Sequence, residues 1–248
     1  MQTGIGGPLR SNSFHSFSLF HFAALIIFSI LAPLSSNAQT VVDAGFETGA
    51  PNIGPGEPNT PGAWLGDGSA YVGSTFGISP FEGNQMLQFV HSPEYHVLNL
   101  NFYEQVIDLS QFSAAIATGN EVISLSAMFN RVAGDAQTDS IVLMNVVPLS
   151  GVPSAYTELD YTPNNENDIH TDSDPATWER LAVDNYRLLP NTTAVRIYLV
   201  SGTGGTNGDG HFADDVQVQL GTIPEPTSSL LLTSACGCML ARRRRPAN

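Results

Sequence analysis

One carboxylate stands out because of the residues around it. Asp214 lies in a stretch whose alternate residues are otherwise apolar, namely Phe212, Val216, Val218 and Leu220. In a strand this pattern places Asp214 on the apolar face, where an unpaired carboxylate is costly to bury. The stretch therefore favours a bound cation, and the alternative is that Asp214 caps a turn or accepts backbone N–H groups.

Two loops are weaker candidates for ligand chemistry. The acidic stretch 164–174 (NNENDIHTDSD) lacks the central Gly and the final Glu of an EF-hand, so it is better explained as a solvated loop than as a second cation site. The glycine-rich stretch 202–210 lacks the Lys of a phosphate-binding loop. It is better explained as a hairpin loop.

Few residues are suited to catalysis, and we predict that the chain is not an enzyme. The stretch between residues 39 and 223 contains no cysteine and no lysine, and its sequence contains no Gly-x-Ser-x-Gly motif. Its four histidines (His91, His96, His170 and His211) show no metal-ligand spacing. A pair of carboxylates for glycoside hydrolysis is available, but in so acidic a chain such pairs are expected by chance.

Several aromatic residues near predicted strand ends are candidates for stacking on sugar rings. They are Trp64, Tyr95, Tyr103 and Tyr161, with Arg131 as a hydrogen-bonding partner for sugar hydroxyls. Packing in the core is at least as good an explanation for each aromatic ring. Trp178, which opens a predicted strand, is assigned to the core.

The elements that must position these residues are β-strands. Short alternating or apolar runs are separated by clusters of Gly, Pro, Asn and Asp. The best helix candidate, 109–118, is better explained as a loop or a single turn. The pattern predicts an all-β sandwich with ten strands, at 41–47, 70–72, 86–90, 103–109, 122–131, 140–147, 156–161, 178–186, 194–200 and 211–220.

The charge of this domain excludes one class of partner. Between residues 39 and 223 there are four arginines, no lysine and 22 acidic residues, which gives a formal charge of −18. Such a surface repels phosphate backbones, so we predict no nucleic-acid partner. Both cysteines of the chain lie in its tail, so no disulfide supports the domain.

The two ends of the chain have the composition of targeting segments. Residues 1–38 are predicted to be a signal peptide, with an apolar stretch at 23–34 and small residues before Gln39, where we expect cleavage. An uncleaved N-terminal anchor is the alternative. The tail, residues 223–248, is predicted to contain a short transmembrane helix, since the fifteen residues 227–241 span only about 22 Å against a bilayer core of about 30 Å.

The tail also resembles a known family of sorting signals. Its three parts are Pro224-Glu225-Pro226, an apolar stretch and Arg242-Arg243-Arg244-Arg245. Their order and spacing are similar to those of the PEP-CTERM signal of exported bacterial proteins. The resemblance implies an exosortase-type processing enzyme as a partner, transient anchoring in the membrane, and then a place at the cell surface or in the extracellular matrix. A plain C-terminal anchor is the alternative.

The domain, residues 39–222, resembles a second family. The similarity lies in an ordered set of motifs, namely Gly45-Phe46-Glu47, Trp64, Gly83, Glu104-Gln105-Val106, Trp178 with Leu181, Leu189 to Thr193, and Ala213-Asp214-Asp215-Val216. They are similar to those of galactose-binding-like and carbohydrate-binding-module proteins. The resemblance implies a jelly-roll β-sandwich and a structural Ca²⁺ held by Glu47 and Asp214, with Asp215 and Asp43 as alternative ligands.

These observations predict an exported, non-catalytic β-sandwich that binds extracellular polysaccharide weakly. One alternative is a structural matrix protein without a specific ligand. A glycan-active hydrolase is a less favoured alternative.

Overall fold

The computed structural model describes residues 37–39, 41–51, 57–66, 69–90, 100–133, 141–160, 165–202 and 210–223. The chain divides into two compact units, 1–34 and 35–248, and the first lies outside the described residues, as does the tail from Pro224 onward. In the described part, no helix is long and apolar enough to cross a membrane.

In the described part of the second unit, nearly all of the regular secondary structure is β-strand. The strands are β1 (Asn37–Gln39), β2 (Trp64–Gly66), β3 (Ser69–Val72), β4 (Met86–Phe89), β5 (Leu100–Asp108), β6 (Glu121–Arg131), β7 (Ile141–Ser150), β8 (Thr157–Glu158), β9 (Glu166–His170), β10 (Glu179–Arg187), β11 (Ala194–Gly202) and β12 (His211–Thr222). A 3₁₀ turn (Ser110–Phe112) and one short helix, α1 (Ser113–Ile116), join β5 to β6.

The strands form two sheets that pack face to face. Sheet A has the order β10-β6-β12-β4-β3, with β1 also paired to β12, and sheet B has the order β2-β5-β11-β7-β8, with β9 also paired to β7. All strand pairs are antiparallel. From β4 onward the long strands alternate between the two sheets, which confirms the predicted jelly-roll β-sandwich.

The core between the sheets follows the period of two that the sequence predicted. Tyr103 and Ile107 of β5 and Ile197 of β11 pack in this core, whereas Val106 and Tyr198 belong to a cluster on the outer face of sheet B. The core requires a glycine at one place. A Cβ on Gly66 would overlap the ring of Tyr103, so only glycine fits there.

The prediction that Asp214 shares a face with the apolar residues of β12 is wrong. The register of β12 against β6 shifts between Asp214 and Gln217, and Asp215 between them has a φ of 48°. This β-bulge reverses the direction of the following side chains. Phe212 therefore packs in a cluster outside sheet A, while Val216, Val218 and Leu220 pack in the core.

A second strand prediction also differs from the structure. Residues 41–47 form a series of turns, in which Asp43 and Phe46 both have positive φ values of 52° and 57°. This backbone brings the Phe46 ring into the core, where it lies 5.5 Å from the ring of Trp64. Asn37 and Ala38, which the sequence assigns to the signal peptide, pair with Leu220 and Gln219 in β1.

Candidate functional site

The buried carboxylate of Asp214 anchors a loop that crosses the outside of sheet A. Its Oδ2 accepts hydrogen bonds from the backbone N–H groups of Phe81 (2.8 Å) and Glu82 (3.2 Å), and its Oδ1 accepts one from the N–H of Asp215 (2.8 Å). The side chain is fully buried. Of the two explanations that the sequence offered, acceptance of backbone N–H groups is therefore present.

The electrostatic balance at Asp214 is unfavourable to the charged form. Burial raises the pKa of Asp214, the three backbone N–H groups lower it and the nearby charge of Glu82 raises it, so that the resulting pKa is about 6. Asp214 is thus a carboxylate that is hydrogen-bonded but not fully compensated.

Glu47 holds the same loop at its other end. Its Oε1 accepts hydrogen bonds from the backbone N–H groups of Asn84 (2.7 Å) and Gln85 (2.9 Å), and these bonds lower the pKa of Glu47. Gly83 is the residue of the loop that faces Glu47. It has a φ of 64°, and a Cβ on it would overlap the Glu47 carboxylate. Glycine is required at this position for both reasons.

The anchored loop, residues 74–85, presents aromatic rings to solvent, and we call it the aromatic loop. Phe76 is 62% exposed and Phe81 is 47% exposed, and they are the exposed aromatic residues of the described part of the chain. Phe76 has a φ of 51°, an uncommon conformation for a bulky residue. The loop therefore holds apolar rings outward in a fixed backbone conformation.

Trp178 completes this surface from the neighbouring segment. Its indole N–H donates to the carbonyl of Ser79 (3.0 Å), and its ring lies edge-on to Phe81 with centroids 6.2 Å apart. The indole is half-buried and packs against the cluster of Ile78, Met86 and Phe212. The prediction that Trp178 is buried therefore holds for only part of its ring. That part packs in the cluster outside sheet A.

The segment before Trp178 supplies polar groups beside this surface. Arg131 donates from Nε to the carbonyl of Asp172 (3.3 Å), and the Asp172 carboxylate accepts from the N–H of Asp174 and the hydroxyl of Thr177. These bonds lower the pKa of Asp172. Arg131, a predicted glycan contact, thus lies at the segment that flanks the aromatic loop.

The other predicted glycan contacts do not form a site. Trp64 is 3% exposed and Tyr103 is fully buried, and their rings stack at 5.2 Å inside the core. Neither ring can contact a sugar, so these two predictions are wrong and the core alternative is correct. Tyr95 and Tyr161 lie outside the described residues. Sequence analysis missed Phe76 and Phe81, although both stand in a Gly- and Ser-rich stretch between two strands.

The carboxylates of the four predicted calcium ligands bond to different partners in the structure. Asp43 accepts from the N–H of Thr48 (3.0 Å), and Asp215 accepts from the side-chain amide of Gln217 (2.9 Å). Near Gly45, Oε1 of Glu82 and Oδ1 of Asp214 lie 3.2 Å and 3.7 Å from the position of a Cβ on that glycine, whereas only the Cγ of Glu47 lies there, because the Glu47 carboxylate is bonded to Asn84 and Gln85. Among the described residues, no group of three or more side chains is arranged to hold a metal ion.

A second polar cluster lies on the outer face of sheet B. Val106, Arg196 and Val147 form one row across β5, β11 and β7, and Glu104, Tyr198 and Asn145 form the next. Arg196 is only 3% exposed and bonds through Nη1 to Glu57, to Glu158 (2.7 Å) and to the hydroxyl of Tyr198 (3.0 Å). The carboxylate of Glu104 lies 3.8 Å from its Nε. This arginine thus joins the segment that carries Glu57 and the short strand β8, which carries Glu158, to β11.

No protein-family model and no curated protein matches the sequence. Among solved structures, a Stig cyclase from Fischerella sp. TAU has 13% identity and a TM-score of 0.46 over 76% of this chain and 100% of its own. A CBM22 xylan-binding domain from Paenibacillus barcinonensis has 16% identity and a TM-score of 0.43 over 76% of this chain and 97% of its own. These similarities carry no argument about function.

Proposed function

We propose that this protein is an exported, non-catalytic module that binds extracellular polysaccharide through the aromatic loop and Trp178. The observation that carries the proposal is that the exposed aromatic side chains of the described part, Phe76 and Phe81, lie on one loop. Asp214 and Glu47 fix the backbone of that loop at four N–H groups. A rigid aromatic surface binds a sugar at a low cost in conformational entropy.

The chemistry of this surface favours neutral glycans. The C–H groups of a sugar ring pack on aromatic rings, while hydroxyls need hydrogen-bonding side chains nearby. Asp174 on the flanking segment and Arg131 at the end of β6, which donates to that segment, are of the required types. The formal charge of −18 between residues 39 and 223 disfavours anionic polysaccharides.

Replacing Phe81 with alanine should weaken polysaccharide binding about tenfold, because loss of an apolar contact of this size costs about 1.5 kcal/mol. A glycan array with the purified protein identifies the polysaccharide, and affinity electrophoresis in gels containing it compares the variants. Val152→Ala is the matched control, since Val152 is also an exposed apolar loop residue, 63% accessible.

Two other outcomes would replace this proposal. If no glycan is retained at millimolar sensitivity, the protein is a structural matrix component without a specific ligand. If the protein releases products from a polysaccharide, it is a glycan-active hydrolase.

Export and sorting form a separate part of the proposal and rest on the sequence of the two ends. The signal peptide is removed before Gln39, and the tail with Pro224-Glu225-Pro226 and its four arginines is held in the membrane until an exosortase-type enzyme cuts it. The processed protein then lies at the cell surface or in the matrix. N-terminal sequencing of exported material tests the first step, and a start at Met1 contradicts it.

We expect that Ca²⁺ binds beside Asp214, where Oε1 of Glu82 and Oδ1 of Asp214 lie 3.2 Å and 3.7 Å from the position of a Cβ on Gly45, with backbone carbonyl oxygens completing the coordination. Oxygen ligands of this kind suit Ca²⁺, and the repulsion from Glu82 that raises the pKa of Asp214 would be relieved by a cation. EDTA should therefore lower the melting temperature, and added Ca²⁺ should restore it. Asp43→Asn should leave this response unchanged. Equal melting temperatures with and without Ca²⁺ would remove the site.

A further inference from the structure

A cavity of about 560 Å³ opens beside the C-terminal half of β10. Its lining includes Gly119, Asp160, Asp184, Asn185, Arg187 and Pro190, and we call it the β10 cleft. Its volume falls in the range of small-molecule binding sites, about 300 to 1,000 Å³. Six residues of extended chain, about 20 Å, separate Trp178 from Asp184, so the cleft is distinct from the aromatic loop.

The cleft exists because β10 carries a β-bulge. The pairing of β10 with β6 shifts register between Val183 and Tyr186, and Asn185 has a φ of 54°. The backbone N–H of Asn185 leaves the ladder and donates to the hydroxyl of Ser124 (2.9 Å). As a result, the side chains of Asp184 and Asn185 are both exposed at the bulge. Bulges commonly redirect side chains in this way next to binding sites.

Neighbouring contacts hold the polar groups of the cleft in place. The hydroxyl of Tyr186 donates to Oδ2 of Asp160 (2.9 Å), and Nε of Arg187 donates to the carbonyl of Gly119 (2.6 Å). In the described part of the chain, the Asp184 carboxylate, the Asn185 amide and the Nη atoms of Arg187 make no hydrogen bond. Three different polar groups therefore face solvent on a fixed backbone.

We propose that the β10 cleft binds a single neutral sugar ring. A carboxylate accepts hydrogen bonds, a guanidinium donates them and an amide does both, which together match neighbouring hydroxyls on a ring. Leu189 and Pro190 give the cleft an apolar wall for the C–H face. Asp160 and Asp184 outnumber Arg187, so phosphate, sulfate and uronate ligands are repelled.

This second site is independent of the aromatic loop, and its existence does not rest on the proposed function. One consequence of this second site does rest on the proposed function. A domain with a sugar site at each end of β10 can contact two polysaccharide chains at once, and such a domain cross-links a matrix rather than merely adhering to it.

The test is a titration of the isotopically labelled, purified protein with glucose, galactose, mannose and xylose, each at millimolar concentration, followed by NMR. At least one sugar should shift the backbone amides of residues 184–187 and the side-chain amide of Asn185. Asp184→Ala and Asn185→Gly should each weaken this binding about tenfold, the loss expected for one strong hydrogen bond. Asn185→Gly keeps the positive φ, so the bulge is preserved.

Phe81→Ala is the matched control, and it should leave the response at residues 184–187 unchanged. If none of the four sugars shifts these amides, the inference is wrong. It is also wrong if Asp184→Ala and Asn185→Gly, shown to be folded by their spectra, bind the sugar as the unmodified protein does. Loss of polysaccharide binding in Phe81→Ala, with the sugar-induced shifts at residues 184–187 retained, would support both the aromatic loop as the polysaccharide site and the cleft as a separate site.

Discussion

Replacing Arg196 with leucine should lower the free energy of unfolding by about 3 to 5 kcal/mol, because one partner of a buried ion pair is removed. Arg196 is 3% exposed and Glu104 is 7% exposed, so the variant leaves a buried carboxylate without its cation. The segment that carries Glu57 and the short strand β8, which carries Glu158, also lose this ion-pair attachment to β11. Urea and thermal unfolding measure the change, and the melting temperature should fall by about 10 °C.

The control for this variant is Arg180→Leu, on an exposed position of β10. It should change stability by no more than about 0.5 kcal/mol. A double variant gives a sharper test. Adding Glu104→Gln to Arg196→Leu should recover part of the loss, because the uncompensated charge is then gone. Equal stabilities of Arg196→Leu and Arg180→Leu would show that the cluster contributes nothing.

Replacing Asp214 with asparagine should cost about 2 to 3 kcal/mol and should also weaken polysaccharide binding. Three backbone N–H groups, of Phe81, Glu82 and Asp215, point at the two carboxylate oxygens. An amide supplies only one oxygen, and its NH₂ group faces at least one of these donors, which leaves a buried donor without an acceptor. The aromatic loop then loses its fixed backbone. Thermal unfolding and affinity electrophoresis report the two effects.

The pKa of Asp214 determines how the loss of stability caused by Asp214→Asn changes with pH. The folded pKa of Asp214, about 6, lies above the value of an exposed Asp, so the folded state takes up the proton first as the pH falls. The contribution of Asp214 to stability is therefore fully present below about pH 4 and is lost as the pH rises through 6. In EDTA, the cost of Asp214→Asn should be larger at pH 4 than at pH 7.

Asp215→Asn is the matched control, because asparagine tolerates the positive φ at this position and, among the described residues, the carboxylate accepts its hydrogen bonds from the side chain of Gln217. It should alter neither stability nor its dependence on pH by a measurable amount. A cost for Asp214→Asn that does not change between pH 4 and pH 7 would contradict the raised pKa.

Several parts of the fold follow from local patterns in the sequence. The sequence predicted strands at 103–109 and 194–200, and the structure has β5 and β11 there, with Tyr103, Ile107 and Ile197 in the core and Arg196 on the outer face. These predictions succeed because the side-chain period of a strand is a local property. The short strand β2 and the polar strand β9 (ENDIH) were missed, since neither has enough alternating apolar residues to show a period.

The candidate site was only partly predictable. The sequence indicated that Asp214 and Glu47 are unusual, but it did not indicate that both serve the backbone of residues 81–85. The rings of Trp64 and Tyr103 looked available because each lies near a strand end. Their burial depends on Phe46, which enters the core from a turn that no alternating pattern predicts.

The sequence by itself determined the all-β class, the formal charge between residues 39 and 223 and the absence of a disulfide there, because these depend on composition and on a period of two. Only the tertiary structure decided which carboxylates and rings meet. A single bulge turned Asp214 away from the core, and Arg196 found partners at positions 57, 104 and 158. Such contacts depend on strand register and on residues far apart in the chain, so no local pattern contains them.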